Sequence, residues 1–358
     1  MAMDFKARVR KVQHALEAHR IGALLVTHMP NVRYLCGFTG SSGALLVGPD
    51  KAKLFTDGRY TVQAGEETHA ASVRIVKGNP STAAISSVAR KRHTVGIEAD
   101  HVTVSQRASL AKGAANARLK ALSGLVERAR MIKQPDEVMQ LKAAVILASG
   151  LFEVLLHGIK PGVTERQLAA ELEYVARRSG AQGMSFETIV ASGPRSAMPH
   201  GVASEQAIQA QGFVVLDYGV ILAGYCSDMT RTVHVGPPGR KQRDLYQAVL
   251  DAQLAAIDVV RPGVQAGKVD QAARKVLRKA GFDSYFTHST GHGVGLEIHE
   301  PPRLGKGQTE LLQAGMVITI EPGAYIPGLG GVRIEDMVLV TETGCQVLTP
   351  TSKELIIL

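Results

Sequence analysis

Phe213-Val-Val-Leu-Asp217-Tyr-Gly219, returning as Cys226-Ser-Asp228-Met-Thr-Arg-Thr232, decides how this chain is read. An outgoing strand that is apolar except for one internal acid, answered by a return strand carrying another, makes an antiparallel ribbon that buries charge. Faces alternate along a strand, and residues opposite each other share a face. A two-residue loop at Ala223-Gly224 therefore sets Asp228 opposite Gly219, on the face of Asp217, whereas a loop of odd length would split the acids.

The pattern recurs downstream. Met316-Val-Ile-Thr-Ile-Glu321 and Val332-Arg-Ile-Glu335-Asp336 form a second ribbon, with Thr319 and Glu321, and Arg333 and Glu335, on one side of their strands. Ile318, Ile320, Val332 and Ile334 take the other side. The surroundings repeat too. Lys160-Pro-Gly-Val163 precedes a helix opened by Thr164 and Gln167 as a capping box and closed by Gly180. Arg261-Pro-Gly-Val264 precedes one with Asp270 near its start and Gly281 at its end. A further helix comes before each, near 135–157 and 242–260. Helix, Pro-Gly turn, helix, hairpin is written twice.

Ahead of the repeat the chain reads as a smaller α/β unit. A helix near 5–20 leads into the run Ile21–Val26, and strands are expected at Gly43–Val47, Lys53–Thr56 and Ser72–Val76. Asp57-Gly58-Arg59-Tyr60 reads as a capped turn. No G-x-G-x-x-G, Walker lysine loop or G-x-S-x-G elbow occurs there. The boundary is expected in Arg128–Gln134, with Pro135 in the first turn of a helix that runs to His157 and stops at Gly158. The expected domains are residues 1–128 and 129–358.

Composition narrows the class. Of 358 residues, 45% are hydrophobic and 20% charged, ordinary for a globular chain with a large core. Three cysteines without C-x-x-C spacing (Cys36, Cys226, Cys345) argue against a disulfide framework or a thiolate zinc site and for a reducing, cytoplasmic setting. The start has no apolar leader, and no later run is read as reaching membrane-spanning length. A net charge of +9 invites nucleic acid as a partner. The basic residues are dispersed, however (Lys91-Arg92, Arg177-Arg178, Arg240-Lys241), and 4% aromatic content offers little for base stacking, so neither nucleic acid nor membrane is expected as a partner.

A third stretch supplies imidazoles: His288-Ser-Thr-Gly-His292-Gly-Val-Gly-Leu-Glu-Ile-His299-Glu300 holds three of the twelve histidines. Glycines at 291, 293 and 295 are expected to let backbone approach something bound. Prolines 301 and 302 forbid a zincin helix, so metal ligands must come from elsewhere as well. Four buried carboxylates facing one cleft require cations. Arg231 and Arg333 are candidate counter-charges, and Arg333 is also a candidate substrate contact. Asp217, Asp228, Glu321 and Glu335 with His292 neutralise two divalent ions, of a kind suited to Mn, Co or Mg, with Zn allowed. Two such ions about 3.5 Å apart share and acidify a water and stabilise the oxyanion of amide or ester hydrolysis. His200, His288 and His299 are candidates to bind the carbonyl oxygen or move a proton.

These motifs resemble the pita-bread metallopeptidases of the Xaa-Pro aminopeptidase and prolidase group, with methionine aminopeptidases as more distant cousins. Leu-Asp217-Tyr-Gly, Ser-Asp228-Met-Thr-Arg, the His288–Glu300 stretch, Thr-Ile-Glu321-Pro-Gly and Gly-Val-Arg-Ile-Glu335-Asp carry the resemblance. Asn31-Val-Arg-Tyr-Leu-Cys-Gly-Phe-Thr-Gly and Thr-Asp-Gly-Arg-Tyr extend it to a creatinase-like N-terminal domain. The implied fold class is α+β, a pita-bread domain with a pseudo-twofold repeat behind a creatinase-like α/β domain. The resemblance implies that Asp217 chelates one ion, that His292 and Glu321 bind the other, and that Asp228 and Glu335 bridge them. It implies substrate- and transition-state-binding roles for His200 and His299, an accessory role for His288, and two divalent ions per chain, Mn first. A homodimer in which the small domain helps close the site is also implied. The implied substrates are peptides with proline second. Arg303 matches the position where some prolidases bind the dipeptide's carboxylate, which favours a dipeptidase over an aminopeptidase acting on longer peptides. A metal-free creatinase-type enzyme or a pita-bread binding module would lack the five ligands, and a methionine aminopeptidase would not need the front domain.

Overall fold

A computed structural model describes residues 3–88, 94–114 and 117–358; Met1, Ala2 and the Lys91-Arg92 pair lie outside the described residues. The chain divides into two units, Met1–Arg130 and Met131–Leu358.

In the first unit, Asp4 accepts a hydrogen bond from the Ala7 N–H at 2.9 Å and starts helix α1 (Phe5–Ala18). Its Val9, Val12 and Leu16 point inward at helical spacing. Strands β1 (Ala23–Val26), β2 (Gly43–Val47), β3 (Ala52–Asp57), β4 (Ser72–Val76), β5 (Thr94–Glu98) and β6 (Arg118–Leu122) form one sheet in the order β4-β3-β2-β1-β5-β6. Helices α2 (Met29–Cys36), α3 (Thr61–Glu67), α4 (Pro80–Val88), α5 (Val104–Ala114) and α6 (Leu125–Met131) complete this part of the chain. One face of the sheet packs Leu25, Phe55, Val95 and Ile97 against Ile85 and Leu110 of α4 and α5. Asp57 caps the turn after β3 by accepting from the Arg59 N–H, as its Asp-Gly signal implies.

In the second unit, helices α7 (Pro135–Gly158) and α8 (Glu165–Arg178) precede one ribbon, and α9 (Arg240–Asp258) and α10 (Ala266–Lys279) precede the other. The capping box of α8 is formed: the Gln167 N–H donates to Thr164 Oγ1 at 3.1 Å, and the Thr164 N–H to Gln167 Oε1 at 2.9 Å. The two Pro-Gly turns adopt the same conformation, with φ of 93° at Gly162 and 83° at Gly263, a region that only glycine enters cheaply. Each helix pair covers its own ribbon, and the repeat thus has two cores, one around Leu151, Leu172 and Leu216, the other around Val249, Leu277 and Ile318.

Helix α7 corrects one expectation. It is long and apolar enough to cross a membrane, against the expectation that no run reaches that length. Its charged residues are few and sit near the ends or singly, so no unbroken apolar run announces it. In the fold Leu141, Val145, Ala148, Phe152 and Leu155 are buried, in the manner of a core helix.

The ribbons themselves follow the alternation. After β7 (Gly183–Met184) and β8 (Ile189–Ser192), β9 (Gly212–Tyr218) pairs with β12 (Met229–Val235), setting Tyr218 opposite Met229. The same register continues in β10 (Val220–Leu222) and β11 (Tyr225–Cys226), closed by the two-residue loop Ala223-Gly224 with positive φ at both positions. Gly219 therefore stands opposite Asp228. Beyond β13 (Gly291–Gly293) and β14 (Glu300–Leu304), β15 (Val317–Ile320) pairs with β18 (Asp336–Val340). β16 (Gly323–Ile326) pairs with β17 (Gly330–Arg333) in one continuing register, which sets Glu321 opposite Glu335. Each ribbon passes from one sheet into another at the level of its acids. Pro322, without an N–H, breaks the second ladder there. At Gly219 a Cβ would collide with the Ser227 carbonyl, so only glycine lets the first ribbon fold so tightly.

Candidate metal centre

The two bends meet at a cavity of about 890 Å³. Asp217, Asp228, Glu321, Glu335, His200, His288, His292, His299, Arg303 and Arg333 all line it, so every candidate site residue of the sequence is brought to one place.

At its floor, one ligand atom each from Asp228, His292 and Glu335 lies within 4.8 Å of the others. His292 Nδ1 faces the Gly293 carbonyl at 2.9 Å; a carbonyl only accepts, so Nδ1 carries the proton and Nε2 presents its lone pair. That Nε2 lies 3.5 Å from Asp228 Oδ2 and 3.6 Å from Glu321 Oε1. These are not ion pairs, because burial pulls the imidazole down to about 4 and leaves it neutral. Neutral imidazole is the form that binds a metal.

The acids are short of counter-charge, with Arg333 committed to Asp217. Burial, then the neighbouring carboxylates, pushes Asp228 and Glu335 well above the usual carboxylate range, and burial pushes Glu321 up to about 8. Glu335 Oε2 accepts from Thr230 Oγ1 at 2.7 Å, and Asp217 Oδ2 accepts from Arg333 Nη2. Asp217 Oδ1, Asp228 Oδ1 and Glu335 Oε1 are buried without a hydrogen-bond partner. Three orphaned carboxylate oxygens in a cavity that an imidazole lone pair also lines fit divalent cations, with oxygen-rich donors and no thiolate.

The other predicted residues take distinct positions. His288 Nδ1 donates to the Ser289 carbonyl at 2.8 Å, so its Nε2 accepts from the Tyr325 hydroxyl at 2.9 Å. Arg333 Nη1 donates to that hydroxyl at 2.6 Å and to the Pro199 carbonyl at 3.1 Å, and Nε to Thr230 Oγ1 at 3.1 Å. Its donors are thus directed to protein groups and to Asp217 rather than held ready for a substrate. His299 sets its ring edgewise on His292, centroids 4.5 Å apart. His200 and Arg303 are exposed on the cavity wall, His200 from a loop and Arg303 from β14 opposite His292. Arg231 serves Asp336 at 2.8 Å, outside the cluster.

Glycines 291, 293 and 295 were expected to make room for something bound; the structure corrects this. A Cβ at Gly291 would strike the Thr319 carbonyl, at Gly293 the Pro301 carbonyl, and at Gly295 the Glu300 carboxylate. The space is taken by the protein's own strands, which must pack closely to present His292. Two features escaped the sequence reading. Tyr325 shares the strand face of Glu321 and Gly323, so alternation contained the signal. The apolar wall of Phe186, Ile189, Val202 and Ile298 is assembled from distant segments and left none.

A duplicated pita-bread fold whose ribbons converge four acids and an imidazole defines a metal-dependent hydrolase. Residues 139–342 match the model of metallopeptidase family M24, and residues 8–132 match the creatinase/prolidase N-terminal domain. The chain belongs to the M24 metallopeptidase family. It is 38% identical over 352 residues to the Xaa-Pro dipeptidase of Pyrococcus furiosus, covering 98% of this chain and all of the relative. Among solved structures it is similar to an Xaa-Pro dipeptidase from Bacillus anthracis, at a TM-score of 0.94 and 41% identity, over 99% of this chain and 100% of that one. The X-Pro aminopeptidase of Thermotoga maritima aligns at a TM-score of 0.88 and 34% identity, over 94% and 98%.

Proposed function

We propose that this chain is an Xaa-Pro dipeptidase, hydrolysing the peptide bond before proline with two divalent ions. The observation that carries the reading is the set of orphaned oxygens on Asp217, Asp228 and Glu335 in the cavity that His292 also lines, where Asp228, His292 and Glu335 offer ligand atoms within 4.8 Å of one another. Asp217 would hold one ion, His292 and Glu321 the other, with Asp228 and Glu335 shared; Mn is the first choice, with Co or Zn as alternatives. Bound ions supply a Lewis acid for the scissile carbonyl and acidify the attacking water. His200 and His299, exposed on the cavity wall, donate to the substrate carbonyl and its oxyanion. Burial holds His299 below the ordinary histidine range and His288 down near 3, so both act as neutral groups at neutral pH. His288 is accessory: it orients Tyr325 and, through it, Arg333.

Arg303 favours a dipeptide. Its guanidinium is exposed on the cavity wall with no hydrogen bond or ion pair among the described residues, and a planar fork suits the carboxylate of a C-terminal proline. Similarity to an X-Pro aminopeptidase supports the second reading, action on longer peptides. We further assign residues 1–128 to dimerisation and site closure, residues 129–358 to catalysis, and the chain to a homodimer. Three free cysteines accord with a cytoplasmic location.

The test is hydrolysis of Ala-Pro and Ala-Pro-Ala by chelated and Mn-, Co- or Zn-loaded protein, with Arg303→Ala alongside. The expected result is metal-dependent cleavage of Ala-Pro, cut by about 10–100-fold in Arg303→Ala, as for a lost charge-assisted pair, with the tripeptide little affected. Equal losses on both would remove the clamp and favour the aminopeptidase. No metal-dependent cleavage, and metal binding unaffected by Asp228→Ala, would leave a binding module.

A further inference from the structure

The loop that carries His200 into the cavity is tied at both ends to one carboxylate, and that carboxylate belongs to no part of the metal cluster. Glu165 is the first residue of α8, where an acid complements the helix dipole and ordinarily sits in solvent. Here it is completely buried. Its Oε1 accepts from the Ser192 N–H at 2.7 Å and Ser192 Oγ at 3.0 Å. Its Oε2 accepts from Arg195 Nε at 3.0 Å, the Ser204 N–H at 3.1 Å and Ser204 Oγ at 2.6 Å.

Ser192 ends β8, and Ser204 lies just past Val202, so the four serine bonds pinch together the two ends of the segment that presents Pro199, His200 and Val202. Arg195 extends the clasp inside the loop, donating from Nη2 to the Val202 carbonyl at 2.8 Å. From the cavity side Arg333 Nη1 holds the Pro199 carbonyl at 3.1 Å. A first-turn acid ordinarily serves its own helix; here all five donors to the carboxylate come from one returning segment and occupy both its oxygens.

We infer that Glu165, with Arg195, is a positioning residue for the hydrolytic reaction: it fixes the path of the 193–203 loop and thereby the place of the His200 imidazole. The inference rests on the reading of His200 as a substrate-facing group. Glu165 touches neither substrate nor metal, so its proposed contribution runs through the loop, whose His200 is the group read as facing the substrate. A shift of about 1 Å at such a group costs up to about a hundredfold in rate.

The test is a double-mutant cycle on the metal-loaded full chain: Glu165→Gln, His200→Ala and the pair, reading kcat, KM and bound metal. Gln keeps the size and one acceptor but turns an amide toward donors that need an oxygen. Glu165→Gln is expected to lower kcat by about ten- to a hundredfold, with metal content unchanged and no further loss when added to His200→Ala. Independent, multiplying losses would overturn the positioning role while leaving His200 in place. If His200→Ala itself keeps full kcat, the reading of His200 fails, and the inference with it. Should Glu165→Gln not fold, Arg195→Met, at a partly exposed site, gives the same cycle, and Arg195→Lys is expected to recover part of the loss.

Discussion

Arg231 leaves the first ribbon for Asp336 of the second, and Arg333 leaves the second ribbon for Asp217 of the first. The crossings are alike in residue type and reciprocal in direction, but they end differently. Around Asp336 every position is filled: Oδ1 accepts from Arg231, and Oδ2 from Gln253 Nε2 and Lys353 Nζ, each at 2.8 Å. Arg231 spends its remaining donors on the carbonyls of Thr230, Glu335, Thr351 and Ser352. Around Asp217 one oxygen is held and the other is orphaned toward the cavity. Duplication of a ribbon thus yields two charge crossings, and saturation decides which serves the fold and which serves a ligand.

The sharpest way to break that contrast is to remove each acid. Asp336→Ala strands buried Arg231 and leaves half-buried Lys353 without its acid, and should cost about 3–5 kcal/mol of stability, measured by denaturant unfolding of metal-free protein. Asp217→Asn keeps an acceptor for Arg333, so its unfolding free energy should stay within about 1 kcal/mol of the parent. Its kcat should instead fall by about 10²–10³-fold, with substoichiometric metal. Two variants equally unstable, or equally active when folded, would dissolve the distinction.

The sequence makes the ribbons legible because alternation and a two-residue loop are local rules: Asp217 with Asp228, and Thr319 with Glu321, come from counting residues. The cap of α8 and the Pro-Gly turns are local in the same way. Partner choice is not. Arg231 and Arg333 look equivalent in the chain, and only the approach of the ribbons assigns one to Asp336 and the other to Asp217 and Tyr325. The crowding at glycines 291, 293 and 295 comes from strands distant in sequence, so an expectation of ligand space was natural and wrong. The burial of Glu165, an ordinary first-turn acid by position, depends on a loop that returns almost forty residues later.

A second expected effect is smaller and sharpens the open side of the comparison. Burial raises Glu321 to about 8 and carries Asp228 and Glu335 upward in the same direction. Above the ordinary carboxylate range the unfolded chain has released these protons while the folded, metal-free chain retains them. Stability is therefore full at acid pH and declines as pH rises through about 8. Divalent ions displace the same protons, so the rise in Tm on adding Mn should grow from about pH 5.5 to about pH 8.5. Each kcal/mol would appear as about 1–2 °C in a chain of this length. A metal-induced shift independent of pH would mean that the acids are already ionised, and that the crossing at Asp217 is not short of positive charge.

The smallest effect concerns what props the open crossing from the side. Tyr325 is buried, its hydroxyl pushed up to about 12 by burial, so it stays protonated. It receives Arg333 Nη1 at 2.6 Å and donates to His288 Nε2 at 2.9 Å. Arg231 needs no such neighbour, because carbonyls and Asp336 use all its donors. In Tyr325→Phe, Arg333 keeps its bonds to Asp217, Pro199 and Thr230, and His288 loses one. A loss of no more than about tenfold in kcat is expected, about 1.4 kcal/mol in the barrier, with KM and metal content near those of the parent. A fall as deep as that of Asp217→Asn would show that the hydroxyl acts on the reacting atoms themselves. The open crossing would then extend through Tyr325 to His288, rather than ending at the carboxylate it leaves half-satisfied.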